Sequence, residues 1–307
     1  MRDTFVKTLT DLAKKNKNIE LVTGDLGFGV LKPFWEQVPD QFTNAGIAEQ
    51  NMTSLAAGMA LEGKTVFTYS IGNFPTLRCL EQIRNDCAYH NADVKIVCVG
   101  GGFVYGALGM SHHATEDIAV MRALPDVVVM APGDLVEAEA AVKAISEYKG
   151  TCYLRLGRGG EKRIHEKLDH FEIGKAIKVS DGKRAAVFST GAIFDEVSSA
   201  CALLKEKGFE PAVYTFPTVK PIDKETVEKC AEEFELIVTC EEHNILGGFG
   251  SAVAEVMAEM KNKKASLLRI GLNDIYAQSV GSQSYLRDVY GMSASKIAEK
   301  IEARINE

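Results

Sequence analysis

Apolar residues in this chain fall into short, near-continuous runs, separated by longer segments in which they recur every three or four positions. The runs at residues 20–23, 65–70, 94–99, 127–131 and 152–156 do not alternate with polar residues. That pattern predicts strands covered by helices on both faces. Between them, residues 4–15, 50–61, 76–90 and 134–148 carry helical periodicity. In the last segment Leu135, Ala138, Val142 and Ile145 share one face behind an Ala131-Pro132-Gly133-Asp134 start signal. Residues 163–172 are polar and aperiodic, and a fresh series follows. Its strands are predicted at 185–189, 212–216, 236–240 and 267–270, and its helices at 195–207, 224–234, 249–260 and 294–304. Alternating strands and helices predict an α/β chain of two doubly wound, parallel-sheet domains, 1–165 and 174–307.

Composition narrows the function classes. The 307 residues are 46% hydrophobic and 25% charged, an ordinary globular balance, and the net charge is −7 with no Lys/Arg-rich block. Nucleic acid and anionic membrane surfaces are therefore poor partners. The longest uncharged stretch, 96–111, is shorter than the roughly 20 residues a membrane helix needs, and five glycines punctuate it. The first residues lack the apolar core of a signal peptide, which points to the cytoplasm. Seven cysteines, an odd number without a C-x-x-C pair, predict reduced core thiols rather than a disulfide framework or zinc site.

One stretch stands apart: Gly46-Ile47-Ala48-Glu49-Gln50 opening an Ala-rich segment that runs to Gly63. By itself it places a carboxylate in the first turn of a helix, where an acidic residue complements the macrodipole. The stretch resembles the signature of the pyrimidine-binding domain of thiamine-diphosphate enzymes in the transketolase and deoxyxylulose-phosphate synthase group. Further matches follow in order: Tyr69-Ser70, Phe74 and Arg78; Ser111-His112-His113 with Glu116-Asp117-Ile118; Leu124-Pro125-Asp126; and Tyr153-Leu154-Arg155-Leu156-Gly157-Arg158. The second half resembles the transketolase C-terminal domain through Ser189-Thr190-Gly191 and Glu241-Glu242-His243 with the glycines that follow. The resemblance spans essentially the whole chain.

The resemblance implies a chemistry. Glu49 hydrogen-bonds the ring nitrogen of the cofactor's aminopyrimidine and activates it; the cofactor supplies the carbanion and electron sink. Phe74, and less directly Tyr69, stack on the pyrimidine ring. Asp25 lies near the thiazole and a subunit interface. His112 contacts the sugar donor, while Arg155 and Arg2 bind the anionic group of the sugar phosphate. Neighbouring His112 and His113 diverge and have no third ligand, so no metal site is assigned to this chain. Leu108 stands where transketolases usually carry an Asp that reads a donor hydroxyl. Gly100–Gly102 fall where a second histidine is expected, and Gly29 where a serine is expected. These departures imply a non-standard sugar, for example a branched, deoxy or sulfonated ketose.

The family binds the cofactor's diphosphate and Mg²⁺ through Gly-Asp-Gly and Asn-Asn, and this sequence has neither. The resemblance therefore implies the C-terminal (β) subunit of a split transketolase. It would be active only with an N-terminal partner, as an α₂β₂ assembly across whose interfaces the sites form. Two other readings stand beside it: the β subunit of a 2-oxo-acid dehydrogenase, which shares the two-domain plan, and a non-catalytic regulatory subunit.

Overall fold

A computed structural model describes all 307 residues. The first half runs α1 (Arg2–Lys15), β1 (Ile19–Thr23), α2 (Phe28–Gln37), β2 (Phe42–Asn44), α3 (Glu49–Leu61), β3 (Thr65–Ile71), α4 (Leu80–Gln82), β4 (Val94–Val99), α5 (Asp117–Ala123), β5 (Val128–Met130), α6 (Leu135–Glu147) and β6 (Cys152–Leu156). The second half runs β7 (Ile177–Ser180), β8 (Ala185–Ser189), α7 (Phe194–Glu206), β9 (Ala212–Thr215), β10 (Thr218–Lys220), α8 (Lys224–Glu233), β11 (Leu236–Asn244), α9 (Phe249–Glu259), β12 (Ser266–Leu272), α10 (Gln283–Val289) and α11 (Ala294–Ile305).

Two sheets result. The first has the order β10-β5-β6-β4-β3-β1-β2 and the second β12-β11-β8-β9-β7. Both are parallel except at one edge, where β10 runs antiparallel to β5 and β7 antiparallel to β9. The β10 strand comes from the second half of the chain but closes the first sheet, so the two halves are interlocked. They also share an apolar core in which Ile118, Met121 and Val129 meet Phe216, Val219 and Phe249. On the other face of the first sheet, Phe5 and Leu9 of α1 pack with Leu31, Phe34 and Val142 against Leu21, Phe67 and Val97. Full burial of a side chain such as Phe5 or Leu9 contributes about 1.5–3 kcal/mol.

Several elements depart from the sequence pattern for local reasons. The helix expected over 76–90 gives way to an extended turn, a single helical turn at α4 and a π-helical turn, Ile83–Ala88. Pro75 opens this region, and the wider π turn carries Ile83 and Cys87 into the core. The strand β2 has only three residues at a half-exposed edge, and α2 contains Pro33, so neither shows a clean period. The α5 and α10 helices, seven residues each, are too short for one. No helix is long and apolar enough to cross a membrane.

Candidate active site

The candidate site lies beyond the carboxyl ends of β1, β2, β3, β4 and β6, where open α/β sheets present ligands. Leaving β2, the Asn44 side chain ties two loops together. Its Oδ1 accepts from the backbone N–H groups of Asp25 and Gly46, each at 3.0 Å, and its Nδ2 donates to Asp25 Oδ1 at 2.8 Å. Gly46 then turns the chain at φ +77°, a left-handed conformation that suits glycine. Three residues on, α3 begins at Glu49, whose side chain is only 5% exposed. Small residues Ala56, Ala57 and Ala60 let the helix lie close on the sheet, which fixes the carboxylate at the helix's positive end.

The turn after β3 faces it. Thr76 Oγ1 donates to Gly72 O at 3.1 Å, and Cys79 Sγ donates to Phe74 O at 3.2 Å, which holds the turn closed. Phe74 is thereby presented half-buried. Arg78 Nη1 donates to Glu49 Oε2 at 2.8 Å, and its guanidinium carbon lies 4.9 Å from the Phe74 ring centroid. His112 meets the Phe74 ring edge-on at 5.2 Å and shares a 3.0 Å hydrogen bond between Nδ1 and Ser111 Oγ. Glu49, Phe74 and His112 therefore belong to one constellation.

Tyr105 extends it. Its ring lies 6.4 Å from that of His112 and carries the Arg158 guanidinium 5.5 Å from its centroid. Burial pushes the Tyr105 phenol up, while the nearby Arg158 and Arg2 charges pull it back. Arg2 itself is partly exposed and pairs with Asp3 at 3.0 Å. A phenol with two guanidinium groups beside it gives the mouth a positive rim suited to phosphate or sulfonate.

Two sequence expectations need correction. Arg155 does not reach the mouth: it is 5% exposed, and its Nε donates to Asp117 Oδ2 at 2.8 Å. Its Nη2 donates to the carbonyls of Ala114 at 2.7 Å and Glu242 at 2.9 Å. The Asp117 charge holds the guanidinium pKa above its ordinary value although desolvation opposes this. Arg155 thus joins the two halves of the chain rather than holding a substrate anion. Tyr69 is also withdrawn, stacked on Phe5 at 5.9 Å in the core beneath α1, with its phenol pushed up by burial. Asp25 sits in a turn after β1, at φ +57° and hydrogen-bonded to Asn44. The glycines at 100–102 also have a packing reason. A Cβ at Gly100 would run into the Tyr105 ring, one at Gly101 into Arg155 and one at Gly102 into Glu242.

Sequence reasoning passed over Tyr105 and Arg158, and assigned no role to Arg78. A signal for Arg158 existed. Arg155 lies within a strand buried along its length, whereas Arg158 follows the strand's carboxyl end in Gly157-Arg158-Gly159-Gly160, the position open sheets use for ligands.

Elsewhere Asp134, Glu137 and His165 bring possible ligand atoms within 4.8 Å of one another. Their oxygens are already engaged. Asp134 accepts from the N–H groups of Val136, Glu137, Ile164 and His165, and Glu137 from Gly133 N–H and Thr215 Oγ1. The cluster clasps the interdomain segment to α6.

Comparison with known proteins places this geometry. The transketolase pyrimidine-binding domain matches residues 1–160 and the transketolase C-terminal domain residues 174–297. A protein of Methanocaldococcus jannaschii described as a transketolase C-terminal section is 41% identical over 98% of this chain and 95% of its own length. A subunit of the apulose-4-phosphate transketolase of Phocaeicola vulgatus is 38% identical over 84% of this chain and 83% of its own. Among solved structures, a split-gene transketolase described as an inactive β4 tetramer superposes with a TM-score of 0.91. It is 32% identical, over 99% of this chain and 98% of that one.

Proposed function

This chain belongs to the transketolase family, and on that premise we propose that it is the C-terminal (β) subunit of a split, thiamine-diphosphate-dependent transketolase. The assembled enzyme moves a two-carbon ketol unit from a ketose to an aldose phosphate. One observation carries the reading: the nearly buried Glu49 carboxylate at a helix N-terminus, facing a half-buried phenylalanine. The relatives named above are transketolase sections and subunits, which favours this reading over a 2-oxo-acid dehydrogenase or a regulatory role.

The residues present fit the pyrimidine half of the cofactor. Glu49 Oε1 accepts no hydrogen bond within the chain, and Phe74 offers a flat apolar surface beside it. Bound thiamine diphosphate would supply a nucleophilic carbon and an electron sink. Glu49 holds a proton at the ring nitrogen of the aminopyrimidine, in a desolvated setting that strengthens the hydrogen bond. His112 contributes donor or acceptor polarity at the reacting oxygens. Arg158 and Arg2 anchor the distal anion of the sugar, and Tyr105 sets the space between that anchor and His112.

The diphosphate and Mg²⁺ fall to an N-terminal subunit, in an α₂β₂ assembly. The solved relative described as an inactive β4 tetramer accords with a β chain that lacks activity without its partner. Seven cysteines without a disulfide fit a reducing compartment, the cytoplasm. Leu108, exposed in the turn that follows Tyr105, puts an apolar side chain near the donor. It favours a non-standard ketose, in keeping with a relative named for apulose 4-phosphate. Mixing this chain with the polypeptide that supplies the diphosphate-binding domain, thiamine diphosphate and Mg²⁺ tests the reading. Ketol transfer appears in the mixture and in neither chain alone; cofactor-dependent decarboxylation of a 2-oxo acid without ketol transfer would replace it with the dehydrogenase reading.

A further inference from the structure

Arg78 is half exposed, yet it makes the one hydrogen bond that Glu49's side chain accepts in the chain. As a stabilising contact the pair is minor, because an ion pair open to solvent on one side is screened by water. Its geometry is more telling. The terminal torsion of a glutamate is broad and roughly two-fold, so an unheld carboxylate presents either oxygen in many orientations. Here Nη1 holds Oε2 at 2.8 Å, which leaves Oε1 as the oxygen without a partner. The same guanidinium lies 4.9 Å from the Phe74 centroid, so one planar group registers the carboxylate against the aromatic surface. The intervening turn is fixed by the Thr76 and Cys79 hydrogen bonds described above and by Arg78 N–H donating to Asn73 O at 3.3 Å.

We infer that Arg78 is a positioning residue: it pins Oε2 of Glu49 so that Oε1 is presented to the aminopyrimidine nitrogen, in register with Phe74. This rests on the function proposed above. Arg78 acts through Glu49 and touches no reacting atom. Lysine keeps the charge but not the planar, directional fork, so it replaces arginine only in part.

The test uses the assembled pair of subunits. Thiamine diphosphate binding is measured by calorimetry. Hydrogen exchange at the thiazolium carbon of the bound cofactor is followed separately by acid quench and NMR, at saturating cofactor. For Arg78→Ala the dissociation constant changes by no more than about fivefold, the scale of a half-exposed pair. Exchange in the bound cofactor slows by about 10- to 100-fold, as for a misplaced reacting group. Arg78→Lys recovers part of that loss. Exchange at the wild-type rate in saturated Arg78→Ala, or an equal loss in Arg78→Ala and Arg78→Lys with unchanged helical circular dichroism, would overturn the assignment. A wild-type pair that binds no thiamine diphosphate would instead remove the proposed function, and this inference with it.

Discussion

Two regions of this molecule are rich in charge, the mouth and the seam between the two halves, yet they differ in one respect. At the mouth, polar groups are incompletely partnered: Glu49 has a free oxygen, and Arg158 lies exposed over Tyr105. In the seam between the two halves they pair chiefly with one another, and the Asp117 Oδ1 left without a hydrogen bond is buried away from any opening. Asp117 Oδ2 accepts from Tyr153 at 2.5 Å and from Arg155 at 2.8 Å. Glu242 accepts from Arg287 Nε at 2.5 Å, from Phe103 N–H at 2.5 Å and from Gln283. A buried charge paired chiefly with groups of its own chain holds the fold together. One that keeps donors or acceptors in reserve at an open mouth can serve a ligand.

The contrast is broken most forcefully at Glu49. Glu49→Ala in the assembled enzyme is expected to lower ketol-transfer kcat by about 10²- to 10⁴-fold, while the unfolding midpoint of the chain stays close to wild type. Loss of both together would make Glu49 a seam residue. Next in size is Asp117→Ala, which leaves Arg155 buried without its counter-charge. A stability loss of about 3–5 kcal/mol is expected by chemical denaturation, and a loss below about 1 kcal/mol would show the seam to be dispensable.

A smaller effect sharpens the comparison through pH. Glu241, buried beneath α9, accepts from the N–H groups of Phe249 at 2.6 Å and Gly250 at 2.8 Å, yet desolvation pushes its carboxyl up to about 7 from 4.5. The folded value is the higher one. The stability this group contributes is therefore fully present below pH 4.5 and is lost as pH rises through 7. Thermal unfolding of Glu241→Gln against wild type, from about pH 5 to 8, should show a shallower fall for the variant, by a few degrees. Parallel curves would mean the carboxyl titrates normally.

The sequence made the scaffold readable because strands buried on both faces write themselves as continuous apolar runs; β3, β4, β6 and β8 lie within a residue of where those runs fall. Elements that depend on neighbours were not readable. The β10 strand is three residues long and owes its pairing to β5, distant in sequence. The π turn at Ile83–Ala88 shares apolar periodicity with an ordinary helix. The resemblance brought Glu49, Phe74 and His112 to attention, and the structure gathers them at one mouth. It could not separate Arg155 from Arg158, because which guanidinium faces the opening depends on where β6 ends and what Asp117 and Glu242 already bind. Tyr105 was missed because its place over Gly100 follows from backbone approach alone.

The measurement that bears most directly on the division between mouth and seam is a paired one on the two arginines. Arg155→Ala and Arg158→Ala are each assembled with the partner subunit, and the unfolding midpoint and the KM for a sugar phosphate are read from the same preparations. Arg158→Ala should raise KM about tenfold, the loss of one charge-assisted anion contact, with the midpoint unchanged. Arg155→Ala should depress the midpoint sharply and leave the KM of the surviving folded enzyme near wild type. The reverse pattern, a stable Arg155→Ala enzyme with a raised KM and an Arg158→Ala enzyme with normal kinetics, would contradict the account.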